Sequence, residues 1–373
     1  MGDIAIIQSG NSAPQGDDMF INGTYPFFRT SDVAREHLTN NLTKTDSYLN
    51  EKGVKGLQLF KKGSILFPKS GLSTYLDHRA LMGIDGYVVS HLAVITIKDT
   101  NIIIPEYLYE ISTMIKARDV KQSSGYPSLN ESDISSVVIP LPPIDVQKQI
   151  VEEIGKVEKS NSDAKYLIDK NLSDIRTIIN GLGSTVSIKE YFDINTLTQN
   201  PTSRRKDEFF TYVDIDSVGK GDGSISFDKK ILGKDAPSRA RRVAEDRTVI
   251  VSTVRPYLKG FAYIDSVPEK TIFSTGFALL KSKNEENYIS KLLYYLFMFS
   301  DNLMKQMETA MPKAAYPSIN KEDIDNFKIP LLTIDEQKHI VDQIEALESE
   351  ITKARTLIEN AANEKQAILD KYL

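Results

Sequence analysis

The chain contains no cysteine, so it can build no disulfide framework, thiolate metal site or cysteine nucleophile. Histidine is scarce. His37, His78, His91 and His339 are the full set, and none stands at metal-ligand spacing from another. Long apolar runs are also missing. The best candidate, residues 289–300 (ISKLLYYLFMFS), falls short of the roughly 18 to 20 residues of a membrane span. The opening stretch, MGDIAIIQSGNSAPQGDD, has neither the basic n-region nor the apolar h-region of a secretory signal. A cytoplasmic protein with no membrane partner is the expectation. An excess of positive charge is lacking as well: the net charge is −5, which over the whole chain argues against a nucleic-acid partner.

Catalytic signatures are absent too. Residues 218–224 (VGKGDGS) look like a phosphate loop but lack its spacing and closing Lys-Ser/Thr, and read as a hairpin turn. No Asp/Asn-Pro-Pro-Tyr/Phe motif marks an amino-methyltransferase. No Glu-x-Lys pair follows a strand-borne aspartate as in a nuclease core. His91 falls in a strand-like run and reads as a satisfied structural residue. The chain reads as a binding protein and not an enzyme, with no metal site.

What the chain does contain is a repeat. Residues 123–154 (SSGYPSLNESDISSVVIPLPPIDVQKQIVEEI) and 313–344 (KAAYPSINKEDIDNFKIPLLTIDEQKHIVDQI) align without a gap at an offset of 190 and are identical at 16 of 32 positions. In both copies Tyr-Pro-Ser followed by Leu/Ile-Asn is turn chemistry. ESDI or KEDI predicts a short helical turn, VVIPLPP or FKIPLLT an extended segment, and Asp145 or Asp335 an N-cap. Long helices follow. The first seam runs Ile150, Ile154, Val157, Asn161, Ala164, Ile168, Asn171, Ile175, Ile178, Leu182. The second runs Ile340, Ile344, Leu347, Ile351, Ala354, Ile358, Ala361, Lys365, Ile368, Tyr372. Each helix should be roughly 50 Å long. Asn161, Asn171 and Lys365 interrupt the seams; such residues either fix register or reach solvent where packing is loose.

Between the helices lie stretches rich in β-branched and aromatic residues: residues 63–68 and 86–98 in the first half, and 209–215, 247–254 and 271–281 in the second. Each half then carries a helix with paired tyrosines, EYLYEIS or KLLYYLF. The expected fold class is α+β: two mixed α/β domains and two long antiparallel coiled-coil helices, related by a pseudo-two-fold internal repeat. The expected boundaries are 1–144, 145–182, 183–334 and 335–373. Charge follows the division. Residues 1–122 are neutral and 183–312 carry +2, whereas 123–182 and 313–373 carry −3 and −4. Within the second domain, basic residues cluster in SRRK, SRARR and RPYLKG. Any one cluster alone is an ordinary solvated surface; three in one domain favour a polyanion.

With these residues in view, IPLPPIDVQKQIVEEI and IPLLTIDEQKHIVDQI resemble the conserved regions of type I restriction–modification specificity (S) subunits. That family's hallmark is Ile-Pro-Leu-Pro-Pro-x-x-Glu-Gln-x-x-Ile after each target-recognition domain. GDIAIIQSGNSAP with YPFFRTSDV, and STVRPYLKGFAYI, are similar to parts of such domains. Val146 departs from the pattern in the first copy, and Leu332-Thr333 in the second. The resemblance implies a non-catalytic chain whose two domains each read half of a split double-stranded DNA target. The long helices would set the unread spacer. Two methyltransferase (M) subunits would dock on the repeated regions, and restriction (R) subunits would join them. S-adenosylmethionine would belong to M, and ATP and Mg to R; this chain would hold no cofactor.

The candidate DNA-binding residues in the first half are Arg29, Ser31, Lys69, Ser70, His78 and Arg79, with Ser124 and Tyr126 before the repeat. In the second half they are Arg204, Arg205, Arg239, Arg241, Arg242, Arg255, Tyr257, Lys259 and Lys313. Because Tyr126 and Tyr316 are identical, they suit shared architecture better than base reading. Two other readings compete: a coiled-coil scaffold with two protein- or glycan-binding domains, and a duplicated enzyme. The scaffold predicts no salt-dependent DNA affinity, and the enzyme needs matched polar pockets that the sequence does not offer.

Overall fold

The computed structural model describes residues 1–37, 41–121, 128–311 and 317–373. Two compact units divide the chain: residues 1–163 with 357–373, and residues 164–356. The central helix, Ile144–Asn180, gives its first part to the first unit and its last part to the second. The C-terminal helix, Ile334–Tyr372, does the reverse.

In the first unit, Ala5–Ser9, Leu92–Ile97, Ile65–Pro68 and Ala80–Leu81 form an antiparallel sheet in that order. Successive side chains of a strand face opposite sides, and both sides of this sheet are buried. Ile65, Phe67, Ala93 and Ile95 join a core with Tyr107, Leu108 and Ile111 of the helix Pro105–Met114. Leu66, Leu92 and Val94 join a separate core with Phe27 and Phe28. Burial on both faces is why these strands read as unbroken apolar runs. Phe27–Phe28 also pairs in parallel with Tyr87–Val88.

The second unit repeats this plan. Phe192–Ile194, Phe277–Ser282, Thr248–Ser252 and Phe261–Ile264 form an antiparallel sheet in the same order. Val249, Val251, Ala278 and Leu280 face the helix Ser290–Phe299, while Ile250, Phe277 and Leu279 face the opposite core. Phe209–Val213 pairs in parallel with Thr271–Ser274, as Tyr25–Phe28 does with Tyr87–Val88.

Three local expectations need correction. The run 86–98 is not one strand: Tyr87–Val88 and Leu92–Ile97 belong to different sheets, with a turn at Ser90-His91. The run 271–281 breaks in the same way after Ser274. The long helices begin one residue before the aspartates expected to cap them. In the second copy Thr333 does the capping: its N–H and Oγ1 both donate to Glu336 (2.8 Å).

The repeated motif acts in the same way in each unit. Asn130 and Asn320 cap Glu131–Ser135 and Lys321–Asn326 through reciprocal bonds with Asp133 and Asp323. Gln147 and Gln337 are fully buried. The Gln147 Oε1 accepts from the Ile104 N–H (3.0 Å), at the start of the tyrosine helix, and its Nε2 donates to the carbonyls of Ile102 and Pro142. Gln337 makes the same three bonds to Ile289, Asn287 and Leu332. Tyr107 and Tyr288 donate to the carbonyls of Pro140 and Pro330, each at 3.0 Å.

The two long helices pair antiparallel within each unit. In the first, Glu153 meets Lys371 and Glu158 meets Lys365, so one number rises as the other falls. In the second, Asn171 Nδ2 donates to Glu350 (2.8 Å). The seam follows the 4–3 spacing at Ile150, Ile154, Ala164, Asn171, Ile175, Ile344, Ile351, Ala354 and Ala361, all buried. Near the helix ends burial passes to Ile179 and Leu369 in place of Ile178 and Ile368, because an α-helix of 3.6 residues per turn drifts from a 3.5-residue repeat.

Candidate nucleic-acid interface

In each unit the ends of equivalent strands are tied into one continuous edge. In the first, the Val89 N–H donates to the Phe28 carbonyl (3.0 Å), Lys69 to His91 (3.0 Å), and Leu129 to Lys69 (2.8 Å). This chain of bonds gathers Arg29, Lys69, Ser70 and His91. In the second, Thr275 donates to Arg239 (2.8 Å), Thr253 to Gly276 (2.9 Å), Ile319 to Thr253 (2.9 Å), and Arg255 to Pro317 (2.9 Å). Arg239, Thr253 and Arg255 thereby share an edge. Ser128 bridges to Ser70, and Ser318 to Val254, so the repeated motif closes both edges at matching positions.

The candidate residues separate by what their side chains do. Arg29 and Ser31 are exposed at the start of the helix Thr30–Glu36, with the Arg29 guanidinium over the rings of Phe20 and Phe27. The Ser70 hydroxyl lies 2.8 Å from His91 Nδ1. Lys69 is largely buried and paired with Glu131 (3.2 Å). The Ser9 hydroxyl and Lys69 hold that carboxylate down to about 2. His78 stacks on His37 (4.7 Å).

Arg79 is a correction. It is fully buried, with its guanidinium 3.2 Å from the Phe67 ring centroid and donating to the carbonyls of His78 and Ile115. Burial pulls its pKa down to about 9. Its charge supports the loop from inside.

In the second unit, Arg239 and Arg255 are exposed, and Tyr257 is 46% exposed on the turn Pro256–Leu258. Arg255 and Lys259 flank that turn with left-handed backbones (φ 48° and 53°), which non-glycine residues seldom adopt. Lys259 is half-buried: its Nζ donates to the Met298 carbonyl (2.6 Å), and burial lowers its pKa. Arg242 likewise spends its Nη1 on Asn195 and the Phe277 carbonyl, half-buried, and burial lowers its pKa too. The Arg241 Nη1 bonds the Ala240 carbonyl (2.7 Å). Arg204 is exposed and Arg205 pairs with Glu208 (3.2 Å). Both precede Phe209, at the opposite end of the sheet from Ser274 and Arg239. Ser124, Tyr126 and Lys313 lie outside the described residues.

Two further exposed residues, His91 and Lys220, stand beside the candidate residues. His91, expected within a strand, is exposed at a turn on the first edge. Lys220 is exposed on the hairpin loop whose Gly221 N–H donates to the Lys259 carbonyl (2.9 Å). The glycine-rich loop was the available signal. Among the described residues, no cluster of His, Cys, Asp or Glu could hold a metal ion, and no helix is long and apolar enough to cross a membrane.

Comparison with known proteins gives the same architecture. The type I restriction modification DNA specificity domain matches residues 1–168 and again 184–360. A protein of Methanocaldococcus jannaschii, named as the candidate specificity subunit of the type I restriction enzyme MjaX, is 20% identical over 99% of this chain and 90% of its own. The crystal structure of the type I restriction-modification S subunit from M. genitalium covers 100% of this chain and 94% of its own, at TM-score 0.57 and 12% identity. A chain from a structure describing complex assembly and conformational transition of the type I R-M system covers 100% and 95%, at TM-score 0.58 and 19% identity. The chain belongs to the type I restriction-modification DNA specificity family.

Proposed function

We propose that this chain selects the DNA of a type I restriction–modification enzyme by reading a bipartite target, one half per unit. The observation that carries the reading is that one scaffold presents two different edges. The strand order and the glutamine clamp repeat, while the edge residues do not: exposed Arg29 and His91 with half-buried Ser70 in one unit, exposed Arg239, Arg255 and Tyr257 in the other. An arginine can fork onto a guanine edge, and a histidine or serine can bond bases or phosphates. Residues 1–144 and 183–334 serve as the target-recognition domains, and the helices of 145–182 and 335–373 set the spacer between half-sites. The repeated surfaces serve two M subunits, because two copies of one surface suit two copies of one partner. R subunits join through M, in the cytoplasm.

Co-expression with the cognate M subunit, followed by mapping of methylated adenines, tests the reading. The expected outcome is two short specified half-sites around a fixed unspecified spacer. A single continuous motif would sink it.

A further inference from the structure

One position of the repeated motif carries opposite charge in the two units. Glu131 and Lys321 stand at the offset of 190, each the first residue of a short helix. Asn130 and Asn320 cap those helices by the same reciprocal bonds, so both side chains start from the same local backbone. That position adjoins the edge. Two residues earlier, the Leu129 N–H donates to the Lys69 carbonyl (2.8 Å) and the Ile319 N–H to the Thr253 carbonyl (2.9 Å). Lys69 and Thr253 are therefore counterparts as well. The first unit sets Lys69 beside Glu131, and the second sets Thr253 near Lys321.

The exchange changes what each edge offers. In the first unit, Glu131 Oε1 accepts from both the Ser9 hydroxyl and the Lys69 ammonium, the latter at 3.2 Å. Ser9 ends the strand Ala5–Ser9, and Lys69 follows Ile65–Pro68, so the carboxylate fastens two strand ends to the motif. The Lys69 side chain is only 17% exposed, and its charge is met inside the protein. In the second unit, the Thr253 hydroxyl turns onto the Gly276 carbonyl (2.9 Å). Lys321 is exposed and, among the described residues, joins no ion pair. The wider charge balance runs the same way: residues 1–122 are neutral, and 183–312 carry +2.

On the reading of these edges as DNA-contacting, we propose that Lys321 meets a DNA phosphate at the second edge, whereas Glu131 withholds Lys69 from phosphate at the first. The second unit thereby supplies the larger share of the salt-dependent affinity. A phosphate approaching Lys69 competes with a carboxylate already bonded to it and is repelled by that carboxylate's charge. A phosphate approaching Lys321 displaces only water and counterions. Phosphate contacts position a duplex without reporting its sequence. With less of that attraction, the first edge depends more on its base contacts, and Glu131 acts there as a positioning residue.

The test uses the full chain with its M subunit, bound across a salt series to a duplex bearing the mapped target and to a scrambled duplex. Lys321→Gln should make the slope of log affinity against log salt shallower by about 0.9 on both duplexes, and Lys321→Arg should restore it. Glu131→Gln should make the slope steeper by about 0.9, and adding Lys69→Gln should cancel that gain. The methylated sequence should stay the same in every variant. An unchanged slope in either Lys321→Gln or Glu131→Gln overturns the proposal. So does a base position that turns degenerate in Glu131→Gln, because the carboxylate then reads a base itself, as by accepting from a cytosine amine. Thermal melts report that each variant has folded. The wild-type target map judges the underlying reading separately: a bipartite target with unchanged variant slopes defeats this inference alone, and a continuous target defeats the reading.

Discussion

At the residue scale, buried polar groups carry more of this fold than the motif pattern suggests. Gln147 and Gln337 each satisfy one N–H and two carbonyls in a buried site. Gln147→Ala or Gln337→Ala should cost roughly 2–4 kcal/mol, since the abandoned partners stay buried. Denaturant unfolding checks the cost, and methylation mapping should find the half-sites unchanged. Glu110 is the second test. Burial chiefly pushes its pKa up to about 7; Lys365 at 3.7 Å opposes this and Glu158 adds to it. A carboxyl whose folded value lies above its ordinary 4.5 binds its proton more tightly in the folded chain. Stability is therefore lost as pH rises from about 4.5 to about 7, and the loss is complete above that. Glu110→Gln should raise stability at pH 8 by on the order of 2–3 kcal/mol and change little near pH 4.5. Thermal melts across pH measure this; an equal shift at both ends would count against the assignment. Lys365 keeps Glu158 in either case.

At the element scale, the interruptions in the helix seams turn out to be unequal. Asn171 is buried and donates to Glu350 on the facing helix, and Lys365 bonds Glu158, so both tie one helix to the other at a fixed height. Asn161 has a buried Oδ1 with no partner among the described residues. The expectations accordingly separate. Asn161→Leu should stabilise by about 1 kcal/mol, because it removes an unsatisfied carbonyl and adds apolar surface. Asn171→Leu should destabilise by about 1–2 kcal/mol, because Glu350 loses its donor. Unfolding of the two single variants decides it, and shifts of the same sign would show that both residues play one role. The departures from the family pattern also have a local cause. Glu336 caps the helix by accepting the Thr333 N–H. Pro143, in the same place, has no N–H, so Val146 forfeits no such bond.

At the scale of the whole molecule, duplication supplied a scaffold and divergence supplied two edges. Arg239→Ala together with Arg255→Ala should relax or abolish only one half-site of the methylated target. The cost should be about 1–3 kcal/mol for each lost base contact, with a weaker salt dependence for any lost phosphate contact. Arg79→Ala should instead unfold or loosen its own unit before it alters specificity, since it vacates a buried site against Phe67. Methylation mapping and unfolding separate these outcomes.

Much of this was legible in the sequence. The offset of 190, the heptad seams and the two-faced apolar strands follow from periodicity, which is a property of the chain itself. The family resemblance rested on the same repeated residues. Charge could not be assigned in that way. Arg79, Arg242 and Lys259 read as surface cations, and only the folded chain turns them inward onto carbonyls. Arg204 and Arg205 share a domain with the second edge but lie at the other end of its sheet, because a sheet carries its two ends apart. Periodicity in the chain dictates the long helices and the fact that the plan is written twice. Tertiary structure decided which side chains remain free to meet a partner, because burial and hydrogen bonding are settled by residues distant in the chain.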